Sequence, residues 1–326
     1  MLKADRPKPV AATPSGATPE RYPFFHRSWL YQLASRCASV FPRWFIQAFA
    51  RSMAWLYMRN RPPVMDVVAD NIALLQGRKP STDTVAKTFT SFAVSLADYY
   101  HMGARPKSEA LALVEERLGF ENMKAAHDAG RGALLLTAHL GLFELGGVVM
   151  QDIGFPIVAL TLPEGSPGLG EWRADYRRRW GVETLEFGGE DQFSFLDIQR
   201  HLEAGKFVAA LIDRPHGGQT SVVRFPHGSA RFSTGILRIA LKQRCPVVPV
   251  AVTRRADLKY RVEAFDPFYI ERCGSVEETL ARYAQRLADI LVPVILRHPE
   301  QWYQFVPISA EGSRISALSR APSTVA

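Results

Sequence analysis

The spacing of apolar and polar positions changes near residue 130. Upstream, apolar residues recur at helical intervals. The pattern predicts a helical region over 29–61, broken or kinked at Pro42, then helices over 64–75, 82–102 and 121–128. Residues 111–118 fit a strand or a helix equally well. From Gly132 onward, short apolar runs alternate with amphipathic segments. Strands are expected at 133–137, 157–161, 183–187, 207–212, 222–225, 247–253 and 260–264, and helices at 142–152, 170–180, 192–204, 234–242 and 276–296. That alternation predicts an α/β fold, a largely parallel mixed sheet flanked by helices, with a helical N-terminal region packed on it. The expected organisation is a disordered tail over 1–22, rich in Pro, Ala and Thr, a helical region over 23–130, an α/β core over 131–307 and a second disordered tail over 308–326.

The 29–61 region has a further character. Phe45, Phe49 and Met53 stand at i, i+4 and i+8, with Leu56 close to the same face and Trp44 and Trp55 on an adjacent one. Arg36, Arg43, Arg51, Arg59 and Arg61 add positive charge. A basic amphipathic helix bearing tryptophans suits a membrane interface; a core-facing helix with solvated arginines would show the same spacing. No run reaches the ~18–20 apolar residues of a spanning helix, and the first ~20 residues lack the apolar segment of a secretory signal. The expected attachment is therefore peripheral or monotopic.

Composition narrows the classes. Of 326 residues, 47% are hydrophobic, enough for a substantial core, and the formal net charge is +8. A basic balance favours an anionic membrane surface or an acidic protein partner. The chain shows no helix-turn-helix, zinc-finger or RNA-binding signature, so nucleic acid is not an expected partner. Cys37, Cys245 and Cys273 share no paired or metal-like spacing and read as structural thiols of a reducing compartment.

The stretch 131–147 carries the clearest chemistry. An apolar strand runs into Ala138-His139-Leu140-Gly141, and a helix follows. His139 thus stands where a strand's carboxyl end meets a helix, the usual place for ligands on an open α/β sheet. An imidazole titrates near neutrality and can take a proton from a hydroxyl. A carboxylate on its other nitrogen fixes the tautomer, and Glu144, five residues on, is the local candidate. With eight histidines and 32 acidic residues, roughly one such pair arises by chance. Its position at a predicted strand-to-helix junction separates His139 from the other seven. A satisfied surface or core histidine is the plain alternative.

Three further stretches bear polar groups. Arg173 and Arg177 share a helix face and could hold an anionic head group or an oxyanion, or simply offset the helix dipole. The strand over 207–212 ends in Asp213-Arg214, on what should be the same sheet edge as His139; an Asp capping a turn is the alternative. Residues 223–235 are glycine- and hydroxyl-rich, and their backbone N–H groups could hold a phosphate or thioester oxygen. His227 there has no acidic neighbour and reads as loop. Pro249, inside an apolar run, suggests a sheet edge or bulge.

The order of these blocks resembles a family. An apolar strand enters His139-x4-Glu144; Asp213-Arg214, Phe225-Pro-His-Gly, Pro246-Val-Val-Pro-Val and Arg297-His298-Pro-Glu-Gln-Trp302 follow. This is similar to the bacterial late acyltransferases of lipid A biosynthesis, lauroyl/myristoyl type, within the glycerolipid acyltransferase-like superfamily. The resemblance spans roughly residues 29–305. It implies movement of a fatty acyl chain from an acyl carrier protein or coenzyme A thioester to a hydroxyl of a lipid acceptor. It implies His139 as general base with Glu144 as its partner, Arg177, Asp213 and Arg214 as oxyanion- or substrate-binding residues, no metal and no organic cofactor. The expected location is the cytoplasmic face of the bacterial inner membrane. Phosphate-acceptor relatives carry Phe-Pro-Glu-Gly-Thr-Arg where this chain has Phe225-Pro-His-Gly-Ser-Ala-Arg231, which weakens a glycerol phosphate acceptor. Transfer to a lysophospholipid or aminolipid, hydrolysis of a thioester or lipid by the same base, and a non-catalytic membrane scaffold are the competing readings.

Overall fold

A computed structural model of the protein describes residues 28–163, 167–187, 194–216 and 219–310. Pro42 divides the first helical region into α1 (Ser28–Val40) and α2 (Arg43–Arg59), since proline's missing N–H costs least at a helix start and removes a hydrogen bond inside one. α3 (Val64–Gln76) stops at Gly77, whose positive φ suits a helix end. α4 (Thr82–Gly103) starts at Ser81, whose hydroxyl accepts from the Thr84 N–H. α5 (Lys107–Leu111), β1 (Val114–Leu118), α6 (Phe120–Asp128), β2 (Ala133–Thr137), α7 (Glu144–Asp152), β3 (Ile157–Thr161), α8 (Pro167–Arg179), β4 (Glu183–Glu186), α9 (Ser194–Glu203) and β5 (Phe207–Leu211) follow. The chain continues through β6 (Thr220–Phe225), β7 (Gly228–Ser233), α10 (Gly235–Gln243), β8 (Val247–Arg254), β9 (Tyr260–Ala264), α11 (Val276–Arg297) and a 3-10 turn, Pro299–Gln301.

Seven strands form one sheet in the order β1-β9-β8-β2-β5-β3-β4, and β6 and β7 form a separate hairpin. Every neighbouring pair in the large sheet is parallel except β8 with β9. β2 sits between β8 and β5, and its alternate residues feed opposite layers. Leu134 and Leu136 pack with Ile198, Leu237 and Leu287 of α9, α10 and α11. Ala133 and Leu135 pack with Tyr99, Met123, Leu145 and Tyr176 of α4, α6, α7 and α8. Burial on both faces is why β2 reads as a continuous apolar run.

The structure revises four sequence expectations. Residues 111–118 are split: the helix ends at Leu111 and Val114–Leu118 is an edge strand on β9, so the sheet draws on the nominally helical N-terminal region. Residues 228–233, expected as loop, form β7. Residues 308–310, expected to open a disordered tail, are ordered: Ile308 is 1% exposed, and its carbonyl accepts from the Arg231 N–H. The rest of that tail, and the one over 1–22, lie outside the described residues. Of the two alternatives for Pro249 the edge fails, since β8 lies between β2 and β9. Its carbonyl accepts from the Phe265 N–H, and pairing resumes between Val247 and Phe268 after one extra residue on the partner segment, so its missing N–H falls at a bulge-like irregularity. The three cysteines are unpaired, and burial pushes the Cys245 thiol up to about 12, which makes it inert at neutral pH.

α2 is oriented against its composition. Trp44, Phe45, Phe49, Met53, Trp55 and Leu56 are 41–67% exposed. The face turned to the protein carries Gln47, which is buried, and Arg43, which reaches Asp98 of α4. The apolar stripe read from the sequence thus points outward, while Tyr57 and Met58 pack inward against the Phe89 cluster, so the stripe itself does not face the core. No helix among the described residues is long and apolar enough to cross a membrane.

Candidate active site

The parallel pairing of β2 with β5 sets Thr137 opposite Leu211, and the Ile212 N–H donates to the Thr137 carbonyl at 3.1 Å. Two residues beyond the strand ends, His139 and Asp213 meet. His139 Nδ1 lies 2.6 Å from Asp213 Oδ1, and the His139 backbone N–H donates to Oδ2 at 3.0 Å. The backbone turns tightly at this point, with the Leu140 N–H donating to the Ala138 carbonyl at 2.7 Å, an i to i+2 turn with His139 at its apex. Gly141 then reverses the chain at φ +56. A Cβ there would stand 2.1 Å from the Val252 carbonyl oxygen, so only glycine fits. The imidazole is 19% exposed, and Asp213 is fully buried.

Burial pushes the Asp213 carboxyl up, but the charge and hydrogen bond of His139, the charge of Arg214 and the indole of Trp302 outweigh it and hold the group below the ordinary carboxylate range. An ionised Asp213 accepts, so Nδ1 is the donor and Nε2 is left as the basic nitrogen.

The expectation that Glu144 turns back onto His139 is corrected. Residues 140–143 are not helical. α7 begins at Glu144 itself, and its carboxylate is taken in a fork by Arg177 of α8, Nη2 to Oε1 at 2.5 Å and Nε to Oε2 at 3.0 Å. Both side chains are largely buried, at 6% and 13% exposure. Burial raises the Glu144 carboxyl, but Arg177 and then Arg173 overcome that and hold it low. Arg177 therefore answers a protein carboxylate as well as any ligand. Arg214 turns inward: its Nε donates to Gln304 Oε1 at 2.9 Å and its Nη2 to the Tyr303 carbonyl at 2.7 Å. Residues 223–235, expected to offer open N–H groups, spend alternate ones on the β6–β7 ladder, while those of Arg224, His227, Arg231, Ser233 and Thr234 donate to Gln285 Oε1 and the carbonyls of Leu74, Ile308, Ile212 and Gln219.

Sequence reasoning missed the residues under the dyad. Trp302 Nε1 donates to Asp213 Oδ2 at 2.8 Å, and Gln304 Nε2 reaches the same oxygen at 3.0 Å and the Asp213 carbonyl at 2.6 Å. The Tyr303 N–H holds the His139 carbonyl at 2.8 Å. The block 297–302 was noted only for its resemblance. A tryptophan and two glutamines directly after a helix stop were the available signal.

The two low carboxylates make folding acid-sensitive. Their folded pKa values lie below unfolded values of about 3.9 and 4.3, so the unfolded chain binds more protons in acid. The stabilisation is complete above about pH 5 and lost as pH falls through 4 toward the folded values. Denaturation midpoints followed from pH 7 to pH 3 should fall over that window, and less steeply in Glu144→Gln. A midpoint flat between pH 5 and 3 would contradict the placement of both groups.

Comparison with known proteins agrees with the earlier resemblance. Over 191 residues the chain is 26% identical to the phosphatidylinositol mannoside acyltransferase of Mycobacterium tuberculosis, a match spanning 58% of each chain. It is 25% identical over 283 residues to the protein of that name from Mycolicibacterium smegmatis, covering 85% of this chain and 89% of the relative. Over 153 residues it is 23% identical to a lipid A biosynthesis acyltransferase of Haemophilus influenzae, spanning 45% of this chain and 46% of that one. The family model described as bacterial lipid A biosynthesis acyltransferase matches residues 14–307, nearly the whole described fold, and the chain belongs to that family.

Proposed function

We propose that the protein transfers a fatty acyl chain from an acyl thioester, carried by an acyl carrier protein or coenzyme A, to a hydroxyl of a lipid acceptor, a lipid A precursor or a related glycolipid, at the cytoplasmic face of the inner membrane. The observation that carries this reading is the 2.6 Å contact between His139 Nδ1 and the buried Asp213. Nε2 takes the acceptor's hydroxyl proton as the oxygen attacks the thioester carbonyl. When the tetrahedral intermediate collapses, the C–S bond breaks and the thiolate recovers that proton from Nε2. An ester and a free thiol are the products. In this reading Glu144 holds Arg177 in a buried ion pair, and Asp213 takes the partner role first expected of Glu144.

The outward apolar face of α2 supports a membrane location. Neither α1 nor α2 contains an acidic residue, and aromatic side chains beside Arg36, Arg59 and Arg61 suit an anionic interface. Two of the relatives are named for a mannosylated phosphatidylinositol and one for lipid A. A glycolipid acceptor is what those names share.

The test is a product assay on vesicles. Purified protein, an acyl thioester and vesicles containing either a lipid A precursor, a glycosylated phospholipid or a lysophospholipid are incubated and the lipids weighed by mass spectrometry. The expected result is one acyl mass added to a glycolipid, with equimolar thiol released and no product from His139→Ala. Free fatty acid formed at the same rate with and without acceptor would make the protein a hydrolase instead.

A further inference from the structure

We propose that Trp302 and Gln304 are positioning residues that keep Asp213 ionised and turned so that a single oxygen faces His139, and so set the imidazole proton on Nδ1. The kinetic part of this rests on the acyl-transfer reading above; the placement of the proton does not.

The argument starts from which groups can only donate. Asp213 Oδ2 receives the Trp302 indole N–H at 2.8 Å, the His139 backbone N–H at 3.0 Å and the Gln304 amide at 3.0 Å. An indole and a backbone N–H have no acceptor capacity. The Gln304 amide could in principle be turned about, but its other end meets Arg214 Nε at 2.9 Å. A guanidinium only donates, so the oxygen of Gln304 must face Arg214 and its NH2 must face Asp213. Three donors on one oxygen leave no place for a proton there. The other oxygen, Oδ1, is directed at His139 Nδ1 at 2.6 Å. Against burial, the His139 and Arg214 charges and the Trp302 indole hold the group ionised, so Oδ1 also accepts and Nδ1 must carry the hydrogen. Nε2 then keeps its lone pair for the substrate.

The strap that supplies these donors is tied down along its length. The Gln301 side chain pairs with the backbone of Arg254 at the end of β8, 2.7 Å in each direction. The Tyr303 hydroxyl lies 3.1 and 2.8 Å from the Ser91 and Ser95 hydroxyls of α4. Trp302 is 1% exposed and stacks on Phe225 with ring centres 5.9 Å apart. A donor group fixed on several sides costs little reorganisation when charge appears on the imidazole.

The experiment uses full-length protein with 15N-labelled histidine. The His139 signals are those that His139→Gln removes. In the wild type, Nδ1 should be the protonated nitrogen, with a strongly downfield proton; an Nε2–H tautomer at neutral pH would overturn the proposal before any variant is made. Trp302→Phe and Gln304→Met each remove a donor while filling most of the space. Circular dichroism identifies which of them stay folded. A folded variant should show a mixture of tautomers and a kcat lowered about 10- to 100-fold, the range seen when groups that orient a histidine ligand are lost, with KM within about twofold. Melting lowered but tautomer and kcat unchanged would make the strap merely structural and end the idea. Should the vesicle assay show no acyl transfer at all, the tautomer measurement still decides.

Discussion

Asp213→Asn is expected to lower kcat about 10⁴-fold at neutral pH while the protein stays folded, a loss like that from the corresponding change in Ser-His-Asp triads. The direction of the new amide follows from its surroundings. Three donors converge on the site of Oδ2, so the amide oxygen must lie there. Its NH2 then faces His139 Nδ1, which becomes an acceptor, and the ring's proton moves to Nε2. A nitrogen that already carries a proton cannot take one from a hydroxyl. Glu144→Gln should do less. Its amide oxygen can still accept from Arg177, and the imidazole's own partner is untouched, so the acid limb of its kcat against pH profile should match the wild type. Asp213→Asn should distort that limb along with its height. Were the asparagine variant the more active of the two, Glu144 would return as the residue that matters to the base.

Why the sequence pointed to a carboxylate that does not touch His139 is a question of range. Both strand ends were legible: an apolar run into His139 and another into Asp213, because strands buried on both faces show continuous hydrophobicity. That these ends adjoin depends on β2 pairing β5, which brings together residues 74 positions apart, and no local spacing encodes it. Glu144 was the acid within reach of pattern reading, and helix numbering assumed that α7 began two residues before it does. The polar support was less visible still. Trp302 and Gln304 have no periodic signature; they matter because the chain returns after α11 to run beneath the site. β1 was ambiguous for a different reason. At an exposed edge Val114–Leu118 carries Glu115, Glu116 and Arg117, and none of its residues is buried. β7 held a signal that its glycine and hydroxyl content obscured: Ala230 and Phe232 are buried while Ser229 and Arg231 are not. The outward apolar stripe of α2 was correctly read as a stripe, but only the structure shows which way it faces.

The same helix underlies the second large effect, on stability. Asp98 is fully buried and receives Arg43 Nε and Nη2 at 2.8 Å each, Gln47 Nε2 at 2.7 Å and the Tyr260 hydroxyl at 2.6 Å. One carboxylate thus joins α2, α4 and β9, and Arg43 adds a bond to the Leu258 carbonyl. Burial, and after it the Asp98 charge, pushes the Tyr260 phenol well above its ordinary range, so it stays a donor at any physiological pH. Asp98→Ala leaves three polar partners stranded, and removing one member of a buried ion pair costs about 3–5 kcal/mol. The value should fall toward the lower end, because the Arg43 side chain is 20% exposed and can recover some water. Urea denaturation measures it. Replacing both charges, as Arg43→Met with Asp98→Leu, removes the stranded cation and should regain much of the loss. If the double variant is as weak as Asp98→Ala, the cost lies in the Gln47 and Tyr260 bonds rather than in an uncompensated charge. Because the face of α2 away from Asp98 is apolar, a loosened α2 gains nothing by swinging into water, and the single variant should aggregate without vesicles and be partly rescued by them.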